Sequence, residues 1–246
     1  MQVDLKRFMD DYDVALVVMS RDRADTLKKK TDTFLRDYHL FYSGEGYDDY
    51  QYHCTERTKV PRGLRGVSVV MNYILDTLDQ EIVIFVDDDL SLIYWIASSK
   101  AIRLSPEQVK LMWIDLVVHT LDQGAGAFGI NDVDIRKASP LTPFIQRAMV
   151  TTVIGVVGRE HRFDERNVLK CDYDLSLQKL RDVRTVHKDL RYFALAAKDK
   201  GRGGNMEFRT PGRRYEEIDR LIKWWGDDVI KTGKGKTVET LAVRVP

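Results

Sequence analysis

The sequence predicts one α/β domain: a mostly parallel mixed sheet flanked by helices. Three observations carry this. Short, continuous apolar runs recur along the 246 residues, as in strands buried on both faces. Segments with helical spacing separate them. One run, in "EIVIFVDDDLSLI" (residues 81–93), passes directly into Asp87, Asp88 and Asp89, and ligands of open α/β sheets sit at the carboxyl ends of strands.

The elements follow in order. "VALVVM" (14–19) reads as the first buried strand. "SRDRADTLKKKTDTFLRD" reads as a helix capped by Ser20, with Leu27, Thr31, Phe34 and Leu35 on one face. "HLFYS" and "YQYHC" are β-rich pieces around the turn "GEGYDD". "LRGVSVVMNYILDTL" places Leu64, Val67, Val70, Met71, Ile74, Leu75 and Leu78 at helical spacing. The Ile82–Val86 strand comes next. "SPEQVKLMWIDLVVHTLDQG" is a punctuated helix, with Ser105 and Gln108 as a capping box, Pro106 in the first turn and Gly124 at the stop. "AGAFGIN" and "TTVIGVVG" read as strands, "DLSLQKLRD" as helix and "VRTVHKDLRYFA" as extended. "AKDKGRGGNMEFRTPGRR" reads as a mobile basic loop. "YEEIDRLIKWWG" closes the series as a helix ended by Gly226.

Composition excludes some classes. With 43% hydrophobic and 31% charged residues, the chain can build a core and is not disordered in type. The net charge of +1 names no partner, but residues 181–246 hold 16 Lys/Arg against 10 Asp/Glu. Two isolated cysteines, Cys54 and Cys171, fit a reducing compartment. The charged N-terminus lacks a signal-peptide core, and no apolar run approaches the ~20 residues of a membrane span. A cytoplasmic location and no membrane partner are expected.

The aspartates point to chemistry. In an extended segment residues two apart share a face, so Asp87 and Asp89 would converge while Asp88 points away. Two carboxylates with open positions suit Mg²⁺ or Mn²⁺ shared with substrate phosphates. A P-loop does not accompany them: the "GKT" at 235–237 has Ile230 where the motif needs Gly. A phosphatase of the haloacid-dehalogenase type, using Asp87, Asp89 and Ser91, is a minor alternative, and a nucleotidyltransferase a further one.

Three ordered pieces resemble the GT-A glycosyltransferase fold. "ALVVMSRDRADTL" is similar to its opening strand and turn, "LRGVSVVMNYIL" to the helix lining its nucleotide pocket, and "VIFVDDDL" to the strand ending in the Asp-x-Asp motif. The resemblance implies a nucleotide-sugar site of Ser20, Arg21, Arg23, Arg65, Asn72, Asp87 and Asp88. It implies a metal, Mn²⁺ or Mg²⁺, held by Asp87 and Asp89 with His187 in "RTVHKD" as a further ligand. "CDYDLSLQ" resembles the segment carrying the catalytic base of inverting members, which makes Asp172 or Asp174 the base. More narrowly, the chain resembles the phage TET-associated DNA glycosyltransferases. That implies a 5-hydroxymethylpyrimidine acceptor such as 5-hydroxymethylcytosine in DNA, and the host cytoplasm; a UDP-sugar is the expected donor. Lys198, Lys200, Arg202, Arg209, Arg213 and Arg214 would then meet DNA phosphates. About 1–130 would be the nucleotide-sugar half and about 131–246 the acceptor half. A glycan, lipid or small-molecule acceptor is the alternative.

Overall fold

A computed structural model of the chain describes residues 4–97, 100–131, 142–196, 204–232 and 241–243. Among these, ten strands form one mixed sheet. Taken across the sheet, β3 (Cys54–Lys59), β2 (Tyr38–Ser43), β1 (Val14–Arg21) and β4 (Ile82–Asp87) are all parallel. Then come β9 (Val153–Val157), antiparallel to both neighbours, and the parallel pair β7 (Ala127–Asn131) and β10 (His187–Ala196). The hairpin of β5 (Leu90–Ala97) and β6 (Lys100–Arg103) forms the far edge, and β8 (Phe144–Ile145) pairs with β10 off this path. A small second sheet joins β11 (Ile230–Thr232) to β12 (Leu241–Val243).

The continuous apolar runs are explained by two cores. Ile82, Ile84 and Val86 of β4 face one core, with Leu5 and Met9 from α1 (Leu5–Asp11) and Val109, Met112, Trp113 and Leu116 from α4 (Pro106–Asp122). Val83 and Phe85 face the other, with Met71, Ile74 and Leu75 from α3 (Val67–Thr77) and Cys171, Leu175 and Leu180 from α5 (Cys171–Asp182). A strand covered on both sides cannot alternate apolar with polar. Close approach fixes one glycine: a Cβ on Gly155 of β9 would lie 2.2 Å from the Phe128 ring.

The α4 capping box forms as the sequence predicts: Ser105 Oγ accepts from the Gln108 amide and Gln108 Oε1 accepts from the Ser105 amide. Three expectations need correction. The helix expected from Ser20 is only α2 (Ala24–Lys29), followed by a 3₁₀ turn at Thr31–Thr33. Ser20 lies in β1, because a left-handed residue, Asp22 at φ 53°, separates strand from helix. "YQYHC" contributes only Cys54 to strand β3. The later part of the expected loop is ordered: α6 (Pro211–Trp225) starts there, with Thr210 accepting from the Arg213 amide and Pro211 in its first turn. Lys198, Lys200 and Arg202 lie outside the described residues.

Candidate active-site cleft

The alternation of β1 and β4 distributes the acidic residues. Asp87 pairs with Met19 at the end of β4, on the same face as Val83 and Phe85, so it looks toward α3 and α5. Asp88 falls on the opposite face with Ser20. The Ser20 hydroxyl donates to Asp88 Oδ2 at 2.6 Å and lies 2.7 Å from the Tyr47 hydroxyl. Since serine has one proton and Asp88 receives it, Tyr47 donates to Ser20; Tyr47 in turn accepts from the Arg23 amide at 3.0 Å. Strand alternation stops at this turn. Asp89 therefore does not simply repeat Asp87. It accepts from Arg23 Nη2 at 3.0 Å, while Arg23 Nη1 reaches Asp88 Oδ1, also at 3.0 Å. Thr31 pins the turn, donating to the Asp87 carbonyl at 2.7 Å and accepting from the Leu90 amide at 3.1 Å.

One guanidinium against three carboxylates leaves negative charge unbalanced. Asp87 is exposed at the end of β4, yet the cleft walls crowd it enough to strip water and push its carboxyl up to about 8. Repulsion from Asp89 and Asp88 adds to this, Arg23 opposes it, and Asp172 contributes further. Burial likewise pushes Asp88 up to about 6, against the pull of Arg23 and Ser20. Arg23 itself loses water on burial, but its aspartate neighbours more than offset that and raise it.

Asp172 and Asp174, two residues apart in the first turn of α5, have different surroundings. Asp172 lines a cleft of about 330 Å³ with Asp87, Thr151, Thr152, Lys170, Arg209 and Arg214. Asp174 is 3% exposed and turned away: its Oδ1 accepts from Trp225 Nε1 at 2.8 Å and its Oδ2 from Gln178 Nε2 at 2.7 Å. A second pocket of about 150 Å³ adjoins at Asp87 and Arg209. It is lined by Ser20, Arg21, Arg23, Phe41, Ser43, Val60, Gly66 and the three aspartates.

Several expected site residues do other work. Asn72 is buried on α3 and clamps the chain leading to α5: it accepts from the Phe163 amide at 3.0 Å and donates to the Phe163 carbonyl at 2.9 Å and to Glu165 at 3.2 Å. Arg65 is exposed in the loop before α3. Arg21 pairs with Glu207 at 2.7 Å, fastening the 204–208 segment beside the cleft. Arg213 donates from Nε to Glu217 at 3.0 Å, with its side chain about one third exposed. The structure does not bring His187 to the aspartates. It is level with Ile84 through Phe128 and Gly155, and β10 is three strands from β4, on the order of 14 Å at sheet spacing. There it is fully buried, 3.1 Å from Gln123 Oε1 and 3.7 Å from Asp189 Oδ2.

Residues that sequence reading missed are Tyr47, Thr31 as a hydroxyl, and Glu217. The only sequence signal for Glu217 was an i, i+4 pair with Arg213, which ordinarily marks a solvated helix face.

No protein-family model and no curated protein matches the sequence. Solved structures do. Glucosyl-3-phosphoglycerate synthase from Mycobacterium tuberculosis, in complex with Mn²⁺, UDP-glucose and phosphoglyceric acid, superposes with a TM-score of 0.56 at 13% identity, covering 99% of this chain and 90% of that one. The fold is GT-A. Residues 1–349 of S. aureus TarS superpose at a TM-score of 0.50 and 12% identity, covering 85% of this chain; the chain spans 64% of that length. Among the described residues, no helix is long and apolar enough to cross a membrane.

Proposed function

We propose that the protein is a metal-dependent glycosyltransferase that moves a sugar from a nucleoside-diphosphate sugar to a hydroxyl acceptor with inversion. One observation carries the reading: Asp87, at the end of a sheet strand, and Asp172, at the start of a helix, face the same cleft, while Asp174 is committed elsewhere. The donor's nucleoside fits the pocket of Ser20, Phe41, Ser43 and Val60, and its diphosphate fits the junction at Asp87, where Arg209 enters both pockets. The solved neighbours support the donor class, glucosyl-3-phosphoglycerate synthase having been captured with UDP-glucose and TarS with UDP.

The residues fit a divalent cation of the open kind. Carboxylate oxygens are hard ligands, and the acidic turn carries charge that Arg23 alone does not balance. Among the described residues no group of three or more His, Cys, Asp or Glu side chains is gathered to hold an ion; an open site of two carboxylates would need phosphate oxygens to complete it. Asp87 and Asp89 would hold it, and when bound it stabilises the charge of the diphosphate leaving group. Asp172 takes the proton from the acceptor hydroxyl as that oxygen attacks the anomeric carbon. Arg209 and Arg214, which line the same cleft, stabilise developing phosphate charge.

The acceptor we favour is a 5-hydroxymethylpyrimidine in DNA, supported by the basic residues 181–246 and by the resemblance to TET-associated DNA glycosyltransferases. A small anionic acceptor is the second reading, favoured by Lys170 and Arg214 beside Asp172 in the cleft. Incubating hydroxymethylated DNA, unmodified DNA and phosphoglyceric acid with a panel of nucleotide sugars and Mn²⁺, read by mass spectrometry, decides between them. A sugar mass added only to hydroxymethylated DNA is the expected result. Release of pyrophosphate in place of a nucleoside diphosphate would make the protein a nucleotidyltransferase.

A further inference from the structure

We propose that Glu217 of α6 is the positioning residue for Asp172; this rests on Asp172 being the base. Glu217 is fully buried, and both its carboxylate oxygens act as acceptors. Oε1 takes the Val168 amide at 3.0 Å and Arg213 Nε at 3.0 Å; Oε2 takes the Leu169 amide at 2.7 Å and the Lys170 amide at 3.0 Å. Three consecutive amides thus converge on one internal anion. Such a run of backbone N–H groups forms a concavity suited to negative charge.

The location gives the arrangement its consequence. Lys170 is the N-cap of α5 and supplies no side-chain cap, in contrast to Ser105 on α4 and Thr210 on α6. The approach to α5 is therefore ordered by a carboxylate from another helix. Val168, Leu169 and Lys170 are themselves cleft wall, and Asp172 is two residues further on. Cys171 and Leu175, which flank Asp172 along the chain, are anchored in the core. Asp172 therefore follows directly on the clamped amides and is fixed by packing on either side, in the cleft that Asp87 also lines. The same helix also grips the loop further upstream, where Arg220 donates to the Arg166 carbonyl at 2.8 Å and to Asn167 Oδ1 at 2.9 Å.

Glu217→Gln keeps the shape but aims an amide N–H₂ at backbone donors. The expected result is a fall in kcat of at least ~10-fold, because small displacements of a catalytic group are costly. Nucleoside-diphosphate affinity, measured by calorimetry, stays within about twofold, since the donor pockets do not include Glu217. Arg220→Ala, which loosens the same helix and loop away from Asp172, should leave kcat within about threefold. The deciding measurement is a double-mutant cycle with Asp172→Asn. If Glu217 acts through Asp172, Glu217→Gln costs little more in that background. The same fold loss in both backgrounds, or an unchanged kcat in the single variant, overturns the proposal. Full activity of Asp172→Asn alone instead overturns the base reading, and the positioning role with it. Should Glu217→Gln not fold, Glu217→Asp, which withdraws the charge by one methylene, takes its place in the same cycle.

Discussion

The molecule handles carboxylates in two opposite ways. At the end of β4, three adjacent aspartates share a single guanidinium, and Asp87 is pushed up to about 8 in a cleft that water reaches. Beneath α5, one glutamate meets four donors and is closed off from solvent. The first arrangement is under-neutralised and open; the second is satisfied and sealed. Unbalanced charge costs stability, so it marks a place prepared for a charged partner, whereas balanced buried charge fixes backbone. The same contrast recurs within α5, where Asp172 faces the cleft and Asp174 is bonded on both oxygens.

Breaking the contrast at α5 gives the largest expected effect. Asp172→Asn should lower kcat at least ~10²-fold with donor binding kept, as loss of a general base does. Asp174→Asn should keep most activity and lose about 1 kcal/mol of stability, because it disturbs hydrogen bonds and not the cleft. Kinetics and urea unfolding of the pair test this; an inactive Asp174→Asn beside an active Asp172→Asn would reverse the assignment.

Arg23→Ala sharpens the contrast at the acidic turn. It leaves the buried Asp88 facing Asp87 and Asp89 without its counter-charge, and the cost is on the order of 3 kcal/mol in EDTA. Added Mn²⁺ should restore part of the lost Tm, since a cation supplies the missing charge. Equal melting of variant and wild type in EDTA would show that Arg23 does not balance the turn.

The smallest effect is read from pH. Burial works against the Glu160 charge, but the Lys179 ammonium at 2.7 Å, a backbone amide and His161 overcome it and hold the carboxyl at about 2. A depressed folded value means that the stabilisation is complete above the ordinary value of 4.5 and is lost as pH falls from there toward 2. Lys179→Met should flatten the fall of Tm across that window. An unchanged slope would place the acid sensitivity elsewhere.

Much of the fold could be read because its causes are local or periodic. The β4 run, the α4 capping box and the Gly226 stop are written in neighbouring residues. The acidic cluster was also visible, since three charges after an apolar strand are conspicuous in one dimension. What misled was distance. His187 was expected as a ligand from the resemblance to the GT-A fold, but strand order puts it three strands from the aspartates. Asn72 was expected at the nucleotide from the resemblance, and Arg213 at DNA from the basic C-terminal region; in the fold Asn72 bonds the Phe163 backbone and Arg213 donates to Glu217.

By itself the sequence determined the alternating elements, the two-faced burial of the central strands and the position of the acidic turn, because each follows from spacing along the chain. Tertiary structure alone decided which carboxylate is open. Asp172 and Asp174 carry the same group, two residues apart; within α5 Asp172 accepts from the Tyr173 amide and Asp174 from Gln178, and what distant segments bring then separates their roles. Trp225, in a helix 51 residues downstream, turns Asp174 into scaffold, and Asp87, 85 residues upstream, gives Asp172 a cleft to face. A carboxylate's role depends on its neighbours in space, and those are fixed only when distant segments pack.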